Sequence, residues 1–504
     1  MNVSPPTTRG DRPFDHMIAS VTSATLSGAA GCAVSVEVHI SHGLPGFTIV
    51  GLPDAAVREA RDRVRAAVLS SGLSWPVHRV TVNLAPSGIR KGGAGLDLPI
   101  AIGLLMAAGD LPPECAEGLG FCGELGLNGS LRHVPGMIAL ADVCMADELV
   151  LPMCDVGEAV LVRESGVHGV ATLAQLVSVL RRRAPWPMIP DTATEVVQAP
   201  GLDVADIRGQ RVGRRALEVA AAGRHHLLLI GPPGSGKTML AERLPGLLPA
   251  LTKNEAMTLS RIYSTAGASL PEGVLFERPP FRAPHHQATI ISLVGGGSAS
   301  PRPGEASLAT HGVLFLDELG EFPVAALESL RQPLEEGVIR VNRAAGTVEF
   351  PASFLLVAAM NPCPCGEGVY EGACSCSVVT RARYRRRISA PFLDRFDLVV
   401  PVTRPTAEEL MSKTPGESTA DVVARVTIAR GRAAARDGDE PILTTEASDV
   451  LAEKLREGAL SARGLNKVTS VAQTIADLAE SDVVTHDHVA EALSLRAGRS
   501  VVVA

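Results

Sequence analysis

Apolar and polar residues alternate through Val34-Ser35-Val36-Glu37-Val38-His39-Ile40, a period of two that predicts a half-buried strand. Residues 54–69 place apolar and alanine positions at helical spacing, with Arg58, Arg61, Arg63 and Arg65 between them, and residues 80–84 read as another short strand. From residue 206 the rhythm changes. Unbroken apolar runs at 227–230, 313–316, 354–358 and 398–402 are separated by helical stretches. Runs of that kind suit strands buried on both faces, and their alternation with helices predicts a parallel sheet. After Pro405 the pattern is helical to the end, with an apolar stripe over 472–478 and Thr485 as N-cap before 489–495.

These patterns divide the chain into a tail (1–15) that reads as disordered, a mixed α/β unit (16–184), a proline-rich linker (185–205), a parallel α/β unit (206–404) and a helical unit (405–504). A length of 504 residues fits three folding units. Apolar residues make up 46% but aromatic residues only 3%, so the cores must be built from Ala, Val, Leu and Ile. A net charge of −7 excludes a surface coated in basic residues for nucleic acid, yet leaves room for a local basic channel. The longest apolar stretch, 98–109, falls well short of the roughly 18 residues of a membrane span. Without a signal-peptide layout, nine cysteines point to a reducing cytoplasm and not to a disulfide framework.

The chemistry begins at Gly231-Pro232-Pro233-Gly234-Ser235-Gly236-Lys237-Thr238, between an apolar run and a helical stretch. In that order the glycines let backbone N–H groups turn towards phosphate oxygens, Lys237 reaches the β- and γ-phosphates, and Thr238 ligates Mg²⁺. The expected ligand is therefore ATP with Mg²⁺. The second motif, 312–319, ends an apolar strand in Asp317-Glu318, which places one carboxylate on the ion and the next on the attacking water. A third strand ends in Asn361, which either orients water or forms a turn before Pro362. Cys363, Cys365, Cys374 and Cys376 supply a full tetrahedral set for Zn²⁺, or stay as reduced, metal-free thiols; the other five cysteines read as core filler. The run 381–387 holds five arginines and reads either as a grip on nucleic acid or as a solvated or subunit-facing surface. His285-His286 reads as structural or channel-lining.

The order of these motifs resembles the AAA+ ATPases, and specifically the Mg-chelatase-like branch that contains the ComM/YifB proteins. The strings that carry the resemblance include Gly43-Leu44-Pro45-Gly46-Phe47, Val82-Asn83-Leu84-Ala85-Pro86, Arg282-Ala283-Pro284-His285-His286, Pro303-Gly304-Glu305, Asn361-Pro362-Cys363-Pro364-Cys365-Gly366 and Leu393-Asp394-Arg395-Phe396-Asp397. The resemblance implies a Lon-protease-like (ribosomal S5 domain 2-like) N-terminal α/β domain, a central AAA+ P-loop domain and a C-terminal helical lid. It implies that Asn361 is sensor 1, Arg395 the arginine finger offered to a neighbouring subunit, and Arg463 a sensor 2 contact to nucleotide. A finger of that kind implies a ring, a homo-hexamer. The insert near 284–303, with Arg302, and the hairpin at 338–350, with Arg340 and Arg343, correspond to elements that project into the ring's channel, which makes these arginines the expected DNA contacts. In the Lon-like register Gly95 and Ile138 stand where a serine and a lysine would form the catalytic dyad, so proteolysis is not expected. The activity implied is an ATP-driven DNA helicase or branch-migration motor; the alternatives are a metal-chelatase-type or protein-remodelling ATPase.

Overall fold

The computed structural model describes residues 18–88, 91–189, 201–268, 270, 274–297, 301–343, 346–367, 374–412, 416–436, 438 and 440–499. The expected tail over 1–15 and most of the expected linker lie outside the described residues. The first unit is built on a seven-stranded mixed sheet. Its longest pair, Ile18–Ser27 and Ala30–Ser41, runs antiparallel from Ile18 opposite His39 to Ser27 opposite Ala30. The alternation read at 34–40 falls inside the second of these strands. Val34, Val36, Val38 and Ile40 are buried, while Glu37 and His39 face solvent. Helix Ala55–Ser70 turns Val57, Ala60, Val64 and Ala67 inward and its arginines outward or sideways. Helix Asp97–Ala107 is buried along its whole length and forms the middle of this core.

The arginines of the first helix are not all surface groups. The Arg63 guanidinium grips Asp97 with two hydrogen bonds of 2.7 and 2.9 Å, and Asp97 is fully buried at the start of the central helix. A bidentate pair of this kind fixes the two helices relative to each other.

The second unit carries five parallel strands in the order Phe281–Arg282, Val313–Leu316, Leu355–Met360, Leu227–Ile230, Leu398–Pro401. The strands at 227–230, 313–316 and 355–360 are wholly buried, as their continuous apolar composition requires. The strand leading to the glycine loop lies between partners that follow it in the chain by separate crossovers, so the sheet opens a crevice at the carboxyl ends of its strands. The helices Thr419–Ala435, Thr445–Arg456, Ala462–Leu478 and His486–Ser494 form the C-terminal region, and Val468, Val471, Ala472 and Ile475 share a core with Leu227, Leu229 and Phe315.

Among the described residues, the two α/β units touch near Gly136 and near Gly28. The amide of Gly136 donates to Ser264 O at 2.9 Å, with Arg261 and Asp142 paired beside it at 2.9 Å. Separately, the turn at Gly28 lies against the hairpin formed by Val338–Arg343 and Gly346–Pro351: a Cβ at Gly28 would stand 2.6 Å from Val348 Cγ1. Of the five scattered cysteines, Cys122 and Cys144 are buried and Cys32 and Cys115 half-buried, but Cys154 is exposed and fills no core.

Replacing Arg63 with Met leaves Asp97 buried without its cation. The loss should be about 3–5 kcal/mol, seen in urea denaturation as an earlier transition of the N-terminal unit, with nucleotide affinity retained.

Candidate nucleotide site and its surroundings

The glycine loop is shaped by what its backbone must approach. Gly231 has no room for a side chain: a Cβ would meet Val402 O at 2.1 Å and Ser235 Oγ at 2.8 Å. Gly234 and Gly236 have φ of +75° and +85°, conformations in which an L side chain is strained. The loop wraps a cavity of about 350 Å³ bounded by Lys237, Thr238, Asp317, Glu318 and Asn361, so five residues read separately from the sequence meet in one place. Lys237 Nζ donates to Gly231 O (2.8 Å), Pro232 O (2.9 Å) and Asn361 Oδ1 (3.2 Å). Burial pushes its ammonium below the usual lysine range, partly offset by Asp317 and Glu318. An arriving polyphosphate supplies the countercharge that this cation lacks. Thr238 Oγ1 donates to Asp317 Oδ2 at 2.9 Å, so the hydroxyl and carboxylate suited to Mg²⁺ already face each other.

Glu318 follows Asp317 with φ +52°, a left-handed conformation costly for a residue with a side chain. Its amide donates to Asp317 Oδ1 at 2.9 Å, and its Oε2 lies 3.2 Å from His286 Nδ1. Residues outside the motifs also support the loop. Gln210 Nε2 reaches Ser235 O (2.8 Å) and Thr403 O (2.6 Å), and Arg404 Nε donates to Pro233 O at 3.2 Å. Gln210, Arg404 and the pairing of His286 carried no local signal in the sequence, because each reaches the loop through tertiary contact.

Neither Arg395 nor Arg463 lines this cavity, and Arg395 is lowered in pKa by burial and by repulsion from both Arg331 and Arg463. Arg395 pairs with Glu335 through one nitrogen, while its buried Nε and that of Arg331 have no hydrogen-bond partner among the described residues. The segment is anchored from below. Asp397 accepts from His226 N (2.9 Å) and Lys467 Nζ (2.6 Å), and Lys467 also donates to Arg395 O (2.8 Å).

The four cysteines converge. Cys363 Sγ lies 3.3 Å from Cys365 Sγ and 3.6 Å from Cys374 Sγ, and all four sulfurs lie within 4.8 Å of one another. Zn–S bonds of about 2.3 Å in a tetrahedron separate sulfurs by roughly 3.8 Å, so the donor set fits. The Cys365 thiol is pulled down to about 6 by a backbone N–H from Glu367 and by its thiol neighbours, while burial pushes Cys363 up to about 12. Gly368 and Gly372, between the two cysteine pairs, lie outside the described residues.

The expected polymer contacts fare differently. Arg302 is exposed and its backbone pairs with Gly296 in both directions at 2.9 Å. Arg340 is no free cation: it pairs with Glu336 one turn earlier and with Glu349 across the hairpin (2.8 Å). The side chain of Arg343 lies outside the described residues. The arginine run forms the end of helix Val378–Arg385, whose Tyr384 packs on Gly320, and Arg387 binds Gly320 O (2.9 Å) and Glu321 (2.7 Å).

Family models for magnesium chelatase subunit ChlI match residues 203–410, for subunit ChlI of Mg-chelatase residues 36–153, and for the ChlI C-terminal region residues 416–496. The chain is 43% identical to YifB of Escherichia coli, over 94% of its own length and 96% of the relative's. It is 42% identical to the competence protein ComM of Haemophilus influenzae, over 95% and 97%. The chain belongs to the ComM/YifB family of Mg-chelatase-like AAA+ ATPases. As a member of that family it uses ATP and Mg²⁺. Among the described residues no helix is long and apolar enough to cross a membrane. A larger cavity of about 820 Å³ lies among the C-terminal helices, lined by Arg224, Arg430 and Arg436, but none of the expected ATP residues reaches it.

Two substitutions separate nucleotide binding from chemistry. Lys237→Ala should abolish ATP binding in an equilibrium titration. Glu318→Gln should bind ATP normally and hydrolyse it about 10²–10⁴-fold more slowly.

Proposed function

We propose that this ATPase is a cytoplasmic homo-hexameric motor that moves on branched or single-stranded DNA, with branch migration or helicase activity in recombination or DNA uptake. The observation that carries the ring is that neither Arg395 nor Arg463 is among the residues lining the phosphate cavity of their own chain. Arg395 pairs with Glu335 through one nitrogen and keeps a buried Nε without a partner among the described residues, and a neighbouring subunit's triphosphate is an anion of suitable charge and size to draw the guanidinium from that pair. In this reading Asn361 and Glu318 of one subunit order the water, while Arg395 of the next neutralises the transferring phosphoryl group. Sensor 2 contact by Arg463 is then made to the neighbour's nucleotide and not to its own.

DNA as the polymer is supported by full-length similarity to a competence protein, competence being the acquisition of external DNA. Arg302 is the exposed basic candidate on the insert. Arg340 contributes to a channel only if Glu336 and Glu349 release it, and Arg343 remains a proposed contact. The N-terminal unit reads as a Lon-like module without a dyad: Gly95 sits tightly against Val134, and Ile138 is fully buried among apolar side chains. A chelatase-type role is the second reading, favoured by the family models. In the cysteine cluster we assign Zn²⁺ as a structural ion held by Cys363, Cys365, Cys374 and Cys376.

Purified protein should unwind a four-way DNA junction in the presence of ATP, and the Glu318→Gln protein should not; absence of both DNA-stimulated hydrolysis and salt-dependent DNA affinity sinks the DNA reading. Arg395→Ala should lower hydrolysis by about 10³-fold or more while retaining ATP binding. Mixing inactive Arg395→Ala with inactive Glu318→Gln protein should restore hydrolysis, since some interfaces then pair an intact arginine with an intact glutamate. No recovery would place the arginine's action within its own chain. Metal analysis should find one Zn²⁺ per chain, lost in the Cys374→Ser, Cys376→Ser double variant.

A further inference from the structure

The cavity of about 820 Å³ among the C-terminal helices is lined by three arginines, and two of them lack a countercharge. Arg436 is spent on Asp477, with both contacts at 2.5 Å. Arg430 donates only to Ala221 O, at 3.0 Å, and Arg224 only to Ser353 O, at 3.5 Å. Among the described residues neither has a carboxylate within ion-pair distance. Glu440 also lines the cavity but pairs with neither, and Glu255, whose charge reaches both, is held by Thr252 and His311. Arg224 ends helix Arg211–Gly223 at φ +54°, a conformation that glycine usually fills. A side chain kept there at a backbone cost brings its cation to this cavity.

The other walls supply hydrogen bonds and an apolar surface. Helix Ala462–Leu478 contributes Asn466, Thr469, Ser470 and Gln473, whose spacing puts them on one helical face. Among the described residues the side chains of Asn466, Thr469 and Ser470 make no hydrogen bond. Gln473, nine-tenths buried, gives its amide nitrogen to Asp477 at 3.2 Å and keeps its carbonyl oxygen unpartnered. Leu443 and, from helix Thr445–Arg456, Leu451 and Leu455 make the apolar lining. The volume is that of a small-molecule site. A phosphate monoester carries about two negative charges at neutral pH, which matches two guanidiniums better than the single charge of a carboxylate. Amides and hydroxyls in a row suit the donors and acceptors of a base and sugar.

We infer that this cavity binds a small nucleotide, its phosphate taken by Arg224 and Arg430 and its base and sugar by the row from Asn466 to Gln473 against the leucines. No residue of the phosphate loop lines it, so it is a second site, and the inference is independent of the DNA reading. Its walls come from both the parallel α/β unit and the C-terminal helices. His225, next to Arg224, already shares a hydrogen bond of 2.8 Å with Thr474 across that boundary. A bound nucleotide ties the two together at the same place.

The test is fluorescence anisotropy of the AMP analogue mant-AMP with the full chain carrying Lys237→Ala, which disables the phosphate loop. Saturable binding of one mant-AMP per chain is expected, displaced by unlabelled AMP and not by adenosine. Losing two charge-assisted contacts in an added Arg224→Gln, Arg430→Gln pair should weaken binding about tenfold or more. Ser470→Phe, which adds bulk beside the polar row without touching a cation, should weaken it too. The arginine pair decides; if it loses the parent's circular dichroism spectrum, Ser470→Phe decides in its place. Absence of saturable binding, displacement by adenosine as effective as by AMP, or unchanged affinity in the deciding variant overturns the inference.

Discussion

The buried ammonium of Lys237 is the constraint to which the nucleotide site is fitted. A cation drawn out of water needs oxygen partners, and here they come from the loop's own carbonyls at Gly231 and Pro232 and from Asn361 on the neighbouring strand. The last partner is available only because Leu355–Met360 lies beside Leu227–Ile230 in parallel register, Met360 level with Ile230. One strand further out, Val313–Leu316 delivers Asp317 to Thr238. Sheet order and site chemistry are therefore one requirement. Moving a strand by one place would leave the lysine, the metal-facing hydroxyl or both without a partner.

A cluster of arginines lies outside the residues that line the phosphate cavity. Arg395 is set by a buried network, Asp397 with His226 and Lys467, that ties the end of the α/β unit to helix Ala462–Leu478. Such anchoring orients a guanidinium firmly, yet it orients this one beside Arg331 and Arg463, where like charges repel. Glu335 and Glu328 offset part of that repulsion by pairing with Arg395 and Arg331. The strand ends therefore carry the residues of the phosphate cavity, and helix Ala462–Leu478 carries the lysine that anchors the Arg395 segment.

Much of this was legible because the chemistry is local in sequence. The glycine loop and the Asp-Glu pair are contiguous strings, and strands buried on both faces announce themselves as unbroken apolar runs. Phe281–Arg282 is too short to show any period, and Leu119–Phe121 lacks one, so both escaped. Arg340 looked like a free cation because its partner Glu349 arrives from the opposite strand of a hairpin, a pairing set by register and not by neighbourhood. Gln210 and Arg404 were invisible for the same reason: each crosses to the phosphate loop from a segment with no motif of its own.

The cysteine cluster completes this picture from the other side of the loop. Cys363 stands two residues after Asn361, and Gly366, at φ +82°, approaches so closely that a Cβ there would lie 2.4 Å from Pro233 Cδ. Arg404 spans the same gap, bound to Pro233 O and, at 2.6 Å, to Glu367. The sulfur-bearing loop and the phosphate loop are thus packed against each other as one body. Whatever fixes the four sulfurs also fixes Asn361 and Pro233, and through them the ammonium of Lys237. A cluster that takes no part in hydrolysis is placed where its order determines how well the phosphates are held.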